Sequence, residues 1–422
     1  MTPGALLEAC TVLVREVLRF ESPADGVVSA FFRQHRALGQ RERHTLAETA
    51  YDVLRRRLLY QHLAQAGSKD SGPTERRLAM LGWAGDAAFL SAALTVEERA
   101  WLARTQAIDR TTLAPKLRHN LPDWIAQPLQ AQLGDDSFWS LVECLDQPAP
   151  LDLRVNVFKA KRDAVQAALA AAGIEAQPTP LSPWGLRVAG KPALNRLDVF
   201  ANGEVEVQDE GSQLLALLTD AKRGEMVVDF CAGAGGKTLA LGAAMKNTGR
   251  LYAFDVSGHR LDAMKPRLAR SGLSNVYPVQ IAHERDDRIK RLAGKISRVL
   301  VDAPCSGLGT LRRNPDLKWR QSPQSVGELN AKQLAILTSA ARLLKPGGRL
   351  VYATCSLLPS ENESVCEAFA LAHPAFEQID AGTVLADLGV RAPNAVNGVG
   401  NLRLWPHIHS TDGFFSSIWT KT

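Results

Sequence analysis

The chain predicts a doubly wound α/β sheet preceded by an all-helical segment and a small α+β unit. Three observations carry this. Short apolar runs at 226–230, 250–255, 276–281, 298–302 and 349–354 alternate with helical stretches. The first of these runs ends in a glycine-rich turn, "DFCAGAGGKT". Upstream, apolar residues recur at helical rather than strand spacing.

The helical segment spans 1–145. Leu6, Cys10, Leu13, Val17 and Phe20 fall on one helical face, and Leu46, Ala50, Val53, Leu54 and Leu58 on another. Along these helices lie Arg33, His35, Arg36, Arg41, Arg43, Arg55, Arg56 and Arg57, which read either as a solvated face or as a surface for docking RNA. The turn-rich stretch 66–75 is a connector, and "CLDQPAPLDLRVN" marks a boundary near 146–150. The unit at 146–204 follows, with strands expected at 151–157 and 185–188 and a helix at 161–172 closed by Gly173. From 205 to 422 the strand–helix rhythm takes over, and a sheet of this kind binds ligands at the carboxyl ends of its strands.

A length of 422 residues fits two or three domains, and 45% hydrophobic with 22% charged residues is the composition of a soluble globular protein. The net charge of +6 and pI of about 9.0 suit a polyanionic partner without requiring one. Six scattered cysteines with no CxxC pair argue for reduced thiols in a cytoplasmic protein and against structural zinc. Glu8, Arg15 and Glu16 interrupt the N-terminal apolar stretch, which makes it an amphipathic helix rather than a secretory signal, and no run reaches membrane-spanning length. His407 and His409 stand two apart with no further clustered ligands, so a hairpin rather than a metal site is expected there.

The glycine turn fails two phosphate-binding patterns by one residue each. A Walker A loop needs glycine where Cys231 stands, and a dinucleotide fingerprint needs it at Thr238. It does resemble Asp-x-(Gly/Cys)-x-Gly-x-Gly, the strand-to-helix turn by which class I methyltransferases hold S-adenosylmethionine, whose small residues admit a close backbone approach. Asp255, ending the next strand, is placed to accept both ribose hydroxyls.

Two further strands end in "VLVDAPCSGLGTLRRNPDLKW" and "LVYATCSLLPSEN", putting Cys305 and Cys355 on the same edge. Two thiols there suit methylation of cytosine C5, a carbon too weakly nucleophilic to react unaided. A thiolate adding to C6 makes it an enamine, and a second group helps release the product. On the residues alone either cysteine could attack. Asp302, beside Cys305, is positioned as the acid acting at N3 and the exocyclic amine. The base must be unstacked, which favours single-stranded or loop RNA, and Arg312, Arg313, Lys318 and Trp319 could supply basic and aromatic contacts.

"DFCAGAGGKT", "DAPCSGLGTLRRNPDLKW", "LLKPGGRLVYATCS" with "PSEN", "VQDEGSQ" and "DGFF" together resemble the NOP/Sun/RsmB family of RNA cytosine-5 methyltransferases. The resemblance implies Cys355 as nucleophile, Cys305 as the residue assisting release, and a cofactor site lined by Cys231, Ala232, Gly233, Ala234, Gly235, Gly236, Lys237, Asp255 and Asp302. It also implies a NusB-like helical domain and an RRM-like middle unit. The pattern departs in "QIAHERDD", where His283 stands in place of an Asp beside the adenine, leaving His283 and Glu284 as candidates for that contact. The implied enzyme is a monomer acting on RNA, with 16S rRNA the first target and tRNA the alternative. A non-catalytic assembly factor is the reading from another class, against which the intact Asp302, Cys305 and Cys355 set speaks. Methylation of a base amine would need no thiol.

Overall fold

The computed structural model describes residues 1–65, 72–190 and 192–422; part of the expected connector, 66–71, lies outside them. The chain divides into two units, Met1–Pro148 with Thr310–Pro323, and Ala149–Gly309 with Gln324–Thr422.

In the first unit, helix Pro3–Val17 buries Leu6, Cys10, Leu13 and Val17, and helix Gln40–Arg55 buries Leu46, Ala50, Val53 and Leu54. This is the periodicity read from the sequence, with two differences. Phe20 lies past the end of the first helix, in the left-handed region, and is only half-buried. The second helix stops at Arg55 and a new one runs Arg57–Gln65, so Leu59 rather than Leu58 enters the core. A helix end leaves carbonyls without partners. Those of Leu54 and Arg55 accept from Trp319 Nε1 and Lys318 Nζ, each at 2.7 Å. Arg55 Nη2 donates to Arg312 O at 3.0 Å, Ala24 N to Asp316 Oδ2 at 3.2 Å, and Arg312 Nη2 to Pro148 O at 2.8 Å. The stretch after Cys305 is therefore built into the helical unit.

The second unit holds two sheets among the described residues. The smaller contains β1 (Leu151–Val155), β2 (Ala176–Pro178), β3 (Gly185–Val188) and β4 (Val205–Val207), ordered β2-β3-β1-β4 and antiparallel throughout. Helix Arg162–Ala171 covers it, and Leu153, Val155, Val165, Leu169, Leu186 and Val205 form its core. Its last strand lies just past the boundary drawn at 204.

The larger sheet comprises β5 (Met226–Asp229), β6 (Arg250–Asp255), β7 (Val276–Gln280), β8 (Ile296–Asp302), β9 (Leu344–Thr354), β10 (Phe376–Ile379), β11 (Leu402–Leu404) and β12 (Phe414–Lys421). The order is β10-β12-β9-β8-β5-β6-β7, with β11 paired to β12. Strands β5 to β9 are parallel and β12 runs antiparallel to β9. Alternation explains why the parallel strands are continuously apolar. Val227, Leu300, Val351 and Ala353 enter one core, and Val228, Val299, Val301 and Tyr352 the other. The strand order reverses between β5 and β8, the switch point at which such sheets bind ligands. No helix among the described residues is long and apolar enough to cross a membrane.

Candidate active site

The carboxyl edge around the switch point gathers five turns. The first follows β5, where Gly233 (φ +55°) and Gly235 (φ +86°) adopt the left-handed region. At Gly235 a Cβ would sit 2.5 Å from Met264 Cγ, so both conformation and space require glycine, whereas at Gly233 the Cβ position is open. Gly235 N donates to Ala232 O at 2.9 Å and Ala232 N to Phe254 O at 2.8 Å, tying the turn to β6. Arg267 Nη1 holds Ala234 O at 2.7 Å and Arg154 Nη1 holds Gly236 O at 2.6 Å. Burial pushes the Cys231 thiol well up, which leaves it neutral.

Asp255 ends β6, buried, with Oδ2 accepting from Gly233 N at 2.8 Å and Oδ1 from Ser257 N at 2.7 Å. Each oxygen keeps a lone pair beyond these bonds. An open, Cβ-free approach at Gly233 beside such a carboxylate fits S-adenosylmethionine. After β7, Ile281 N donates to Asp255 O at 3.0 Å. His283 is exposed, its Nδ1 accepting from Arg285 N at 3.1 Å, and Glu284 lies 3.7 Å from Arg285 Nε. Both ride on the loop after β7, at this same edge.

At the ends of β8 and β9 the two cysteines meet. Cys305 Sγ lies 3.4 Å from Cys355 Sγ. The hydrogen bond to Cys355 comes first among the influences that push the Cys305 thiol well up; burial and the Cys355 and Glu361 charges add to it. Lys237 Nζ pairs with Asp302 Oδ2 at 2.7 Å, both side chains mostly shielded. Burial draws the Lys237 ammonium down, but Asp302 outweighs it, with Cys355 acting in the same direction, so the group stays charged above the ordinary lysine range. The Lys237–Asp302 pair thus lies within electrostatic reach of Cys355.

Three of the expected RNA contacts are engaged within the helical unit. Arg312 and Lys318 are buried, their donors engaged on carbonyls of the helical unit, and Trp319 is half-buried with its indole N–H donating to Leu54 O. A basic-aromatic run looks alike whether it faces a phosphate or a helix end. Arg313 is half-buried.

Three groups escaped the reading of the sequence. Asp229 is buried at the base of the glycine turn, Oδ2 accepting from Thr238 Oγ1 at 2.7 Å and Oδ1 without a hydrogen bond among the described residues. Phe414 places its ring 5.9 Å from Lys237 Nζ. Glu361 is wholly buried and accepts from Ser306 and Ser356. The signal for it was present: a serine follows each cysteine at both strand tips.

The family described as 16S rRNA methyltransferase RsmB/F matches residues 216–419, and a ferredoxin-like domain of the same family matches 121–195. The "Probable ribosomal RNA small subunit methyltransferase B" of Synechocystis is 31% identical, the match covering 96% of each chain. Its counterpart in Bacillus subtilis is 34% identical over 79% of this chain and 74% of that one. The crystal structure of PH0851 superposes with a TM-score of 0.80 at 26% identity, covering 100% of this chain and 99% of that chain. Two relatives above 30% identity, matched over most of their own length, and the site geometry agree: the chain belongs to the RsmB/F family of methyltransferases.

Proposed function

We propose that this protein methylates C5 of a cytosine in RNA, with small-subunit ribosomal RNA as the substrate. The observation that carries the proposal is the pair of thiols 3.4 Å apart beside the Lys237–Asp302 ion pair, at the edge that fits the cofactor. S-adenosylmethionine supplies the methyl group when bound. The chain's own residues must make C5 nucleophilic. Cys355, within electrostatic reach of the Lys237 ammonium, adds its sulfur to C6, and the C5–C6 electron pair moves into the ring as an enamine. Asp302 serves at the N3 and exocyclic amine side of the base, oriented by Lys237. Cys305 assists the release step, in which the C5 proton leaves and the sulfur–C6 bond breaks to restore the double bond. His283 and Glu284 are proposed at the adenine end of the cofactor.

The target follows from the relatives' names, which specify the small-subunit ribosomal RNA. The reading assigns 1–145 to a NusB-like domain that recruits RNA, 146–204 to an RRM-like unit and 205–422 to the catalytic domain, acting as a monomer in the cytoplasm. The helical content of the first segment and three of the four strands of the small sheet, which fall within 146–204, support that reading, and the ferredoxin-like match at 121–195 overlaps the middle unit. Arg313 is the residue of the stretch after Cys305 kept as an RNA contact. Bisulfite sequencing of total RNA from cells with and without the gene tests the proposal. One 16S cytosine should lose protection in the deletion strain; unchanged protection throughout overturns it, and loss at a tRNA position instead reassigns the target.

A further inference from the structure

Past the end of a parallel ladder two neighbouring strand tips diverge unless something holds them. Between β8 and β9 the backbone pairing ends with Ala303 N donating to Ala353 O at 2.9 Å, two residues before each cysteine. Beyond that point Gly309 N donates to Cys355 O at 2.8 Å, and a buried carboxylate joins the tips. Glu361 Oε1 accepts from Ser306 N at 2.8 Å and from Gln333 Nε2 at 3.1 Å. Its Oε2 accepts from both serine hydroxyls, Ser306 Oγ and Ser356 Oγ, each at 2.5 Å, and those hydroxyls lie 3.2 Å from one another. Ser306 follows Cys305 and Ser356 follows Cys355; the side chains of Ser306, Ser356, Glu361 and Gln333 are fully buried, whereas both cysteines are partly exposed.

A carboxylate so buried is costly unless hydrogen bonds replace its water, and here four donors do so. The bracing continues on either side of the thiols. Gln333 also donates to Pro304 O at 2.9 Å, and Asn362 binds Thr354 Oγ1 at 2.5 Å and Ser356 O at 3.0 Å. The backbone of Glu361 is in turn held by Tyr352 OH on its carbonyl at 2.6 Å.

We infer that Glu361 is a positioning residue for the methyl transfer: by tying Ser306 to Ser356 its carboxylate sets the separation of the Cys305 and Cys355 sulfurs. The inference rests on the proposed role of the two thiols. A carboxylate can take all four donors at once. Glutamine keeps one acceptor oxygen, and the serine hydroxyls can rotate to accept from its amide, so it should preserve the bridge in part. Alanine removes the bridge.

The test compares wild type, Glu361→Ala and Glu361→Gln by steady-state methylation of RNA and by dibromobimane, a reagent that fluoresces when it bridges two nearby thiols. Glu361→Ala should lose most bridging fluorescence and on the order of 100-fold in kcat, with KM for S-adenosylmethionine within about twofold of wild type. Glu361→Gln should recover bridging and turnover together. Folded Glu361→Ala with wild-type bridging, or with bridging lost but kcat retained, overturns the inference. If that variant does not fold, the Ser306→Ala/Ser356→Ala double variant carries the same expectations. Bridging reads the thiol geometry without RNA, so wild-type protein that bridges but methylates no cytosine counts against the proposed function alone.

Discussion

Cys305 and Cys355 come from strands 50 residues apart in sequence and place their sulfurs 3.4 Å from each other. Their surroundings differ: Cys305 is held protonated, first by its hydrogen bond with Cys355 and then by burial and nearby negative charge, whereas Cys355 interacts with the Lys237 ammonium. Cys355→Ala should therefore abolish methylation while S-adenosylmethionine affinity is retained. Cys305→Ala should form a protein–RNA species that persists in a denaturing gel and disappears in the double variant. Absence of that species would remove Cys305 from the release step.

Lys237 is bonded to Asp302 at 2.7 Å. Lys237→Met leaves that carboxylate without its partner and should lower kcat for RNA methylation on the order of 10-fold with KM for S-adenosylmethionine little changed, read by steady-state kinetics. An unchanged kcat would mean that the ion pair does not position Asp302.

What was legible in the sequence was local. The five parallel strands, the glycine turn and the two cysteine tips follow from runs and spacings within a few residues, and the strand beginnings at Met226, Arg250 and Val276 are those expected. What was not legible depended on groups far apart in the chain. Lys318 lies in a basic-aromatic run, and nothing nearby shows that its ammonium meets the carbonyl of Arg55. Glu361 stands among polar residues at a helix start, where a solvated carboxylate is the ordinary outcome; its burial comes from Gln333 and Ser306. The upward push on the Cys305 thiol likewise arises from Cys355, burial and Glu361, groups that its own stretch of sequence does not show.

Lys318 carries a pH dependence. Burial pushes its ammonium down to about 7 from the ordinary 10.5. The unfolded chain then binds the proton more tightly than the folded one, so stability is lowest below pH 7 and rises as the pH climbs toward 10.5. The gain between pH 7 and pH 9 should be on the order of 2 kcal/mol. Lys318→Met removes the titrating group and should flatten the urea-unfolding midpoint of the helical unit over that range. A variant whose midpoint rises as steeply as wild type would show that the amine is not the source.

Asp229 gives the opposite slope. Burial pushes its carboxyl up to about 7 from the ordinary 3.8, against the opposing hydrogen bond from Thr238. Between those values the folded state holds a proton that the unfolded chain has released. The stabilisation is therefore complete below pH 3.8 and is lost as the pH rises through 7. Asp229→Asn mimics the protonated acid and can still accept from Thr238. Its unfolding free energy should match wild type near pH 4 and exceed it at pH 8 by roughly 2 kcal/mol or more, read from urea melts of the catalytic unit's tryptophan signal. The unpaired Oδ1 sharpens this expectation, since an ionised carboxylate with one oxygen buried and unbonded has the most to gain from losing its charge. A variant less stable than wild type at pH 8 would show that the ionised form is held by a partner at the glycine turn.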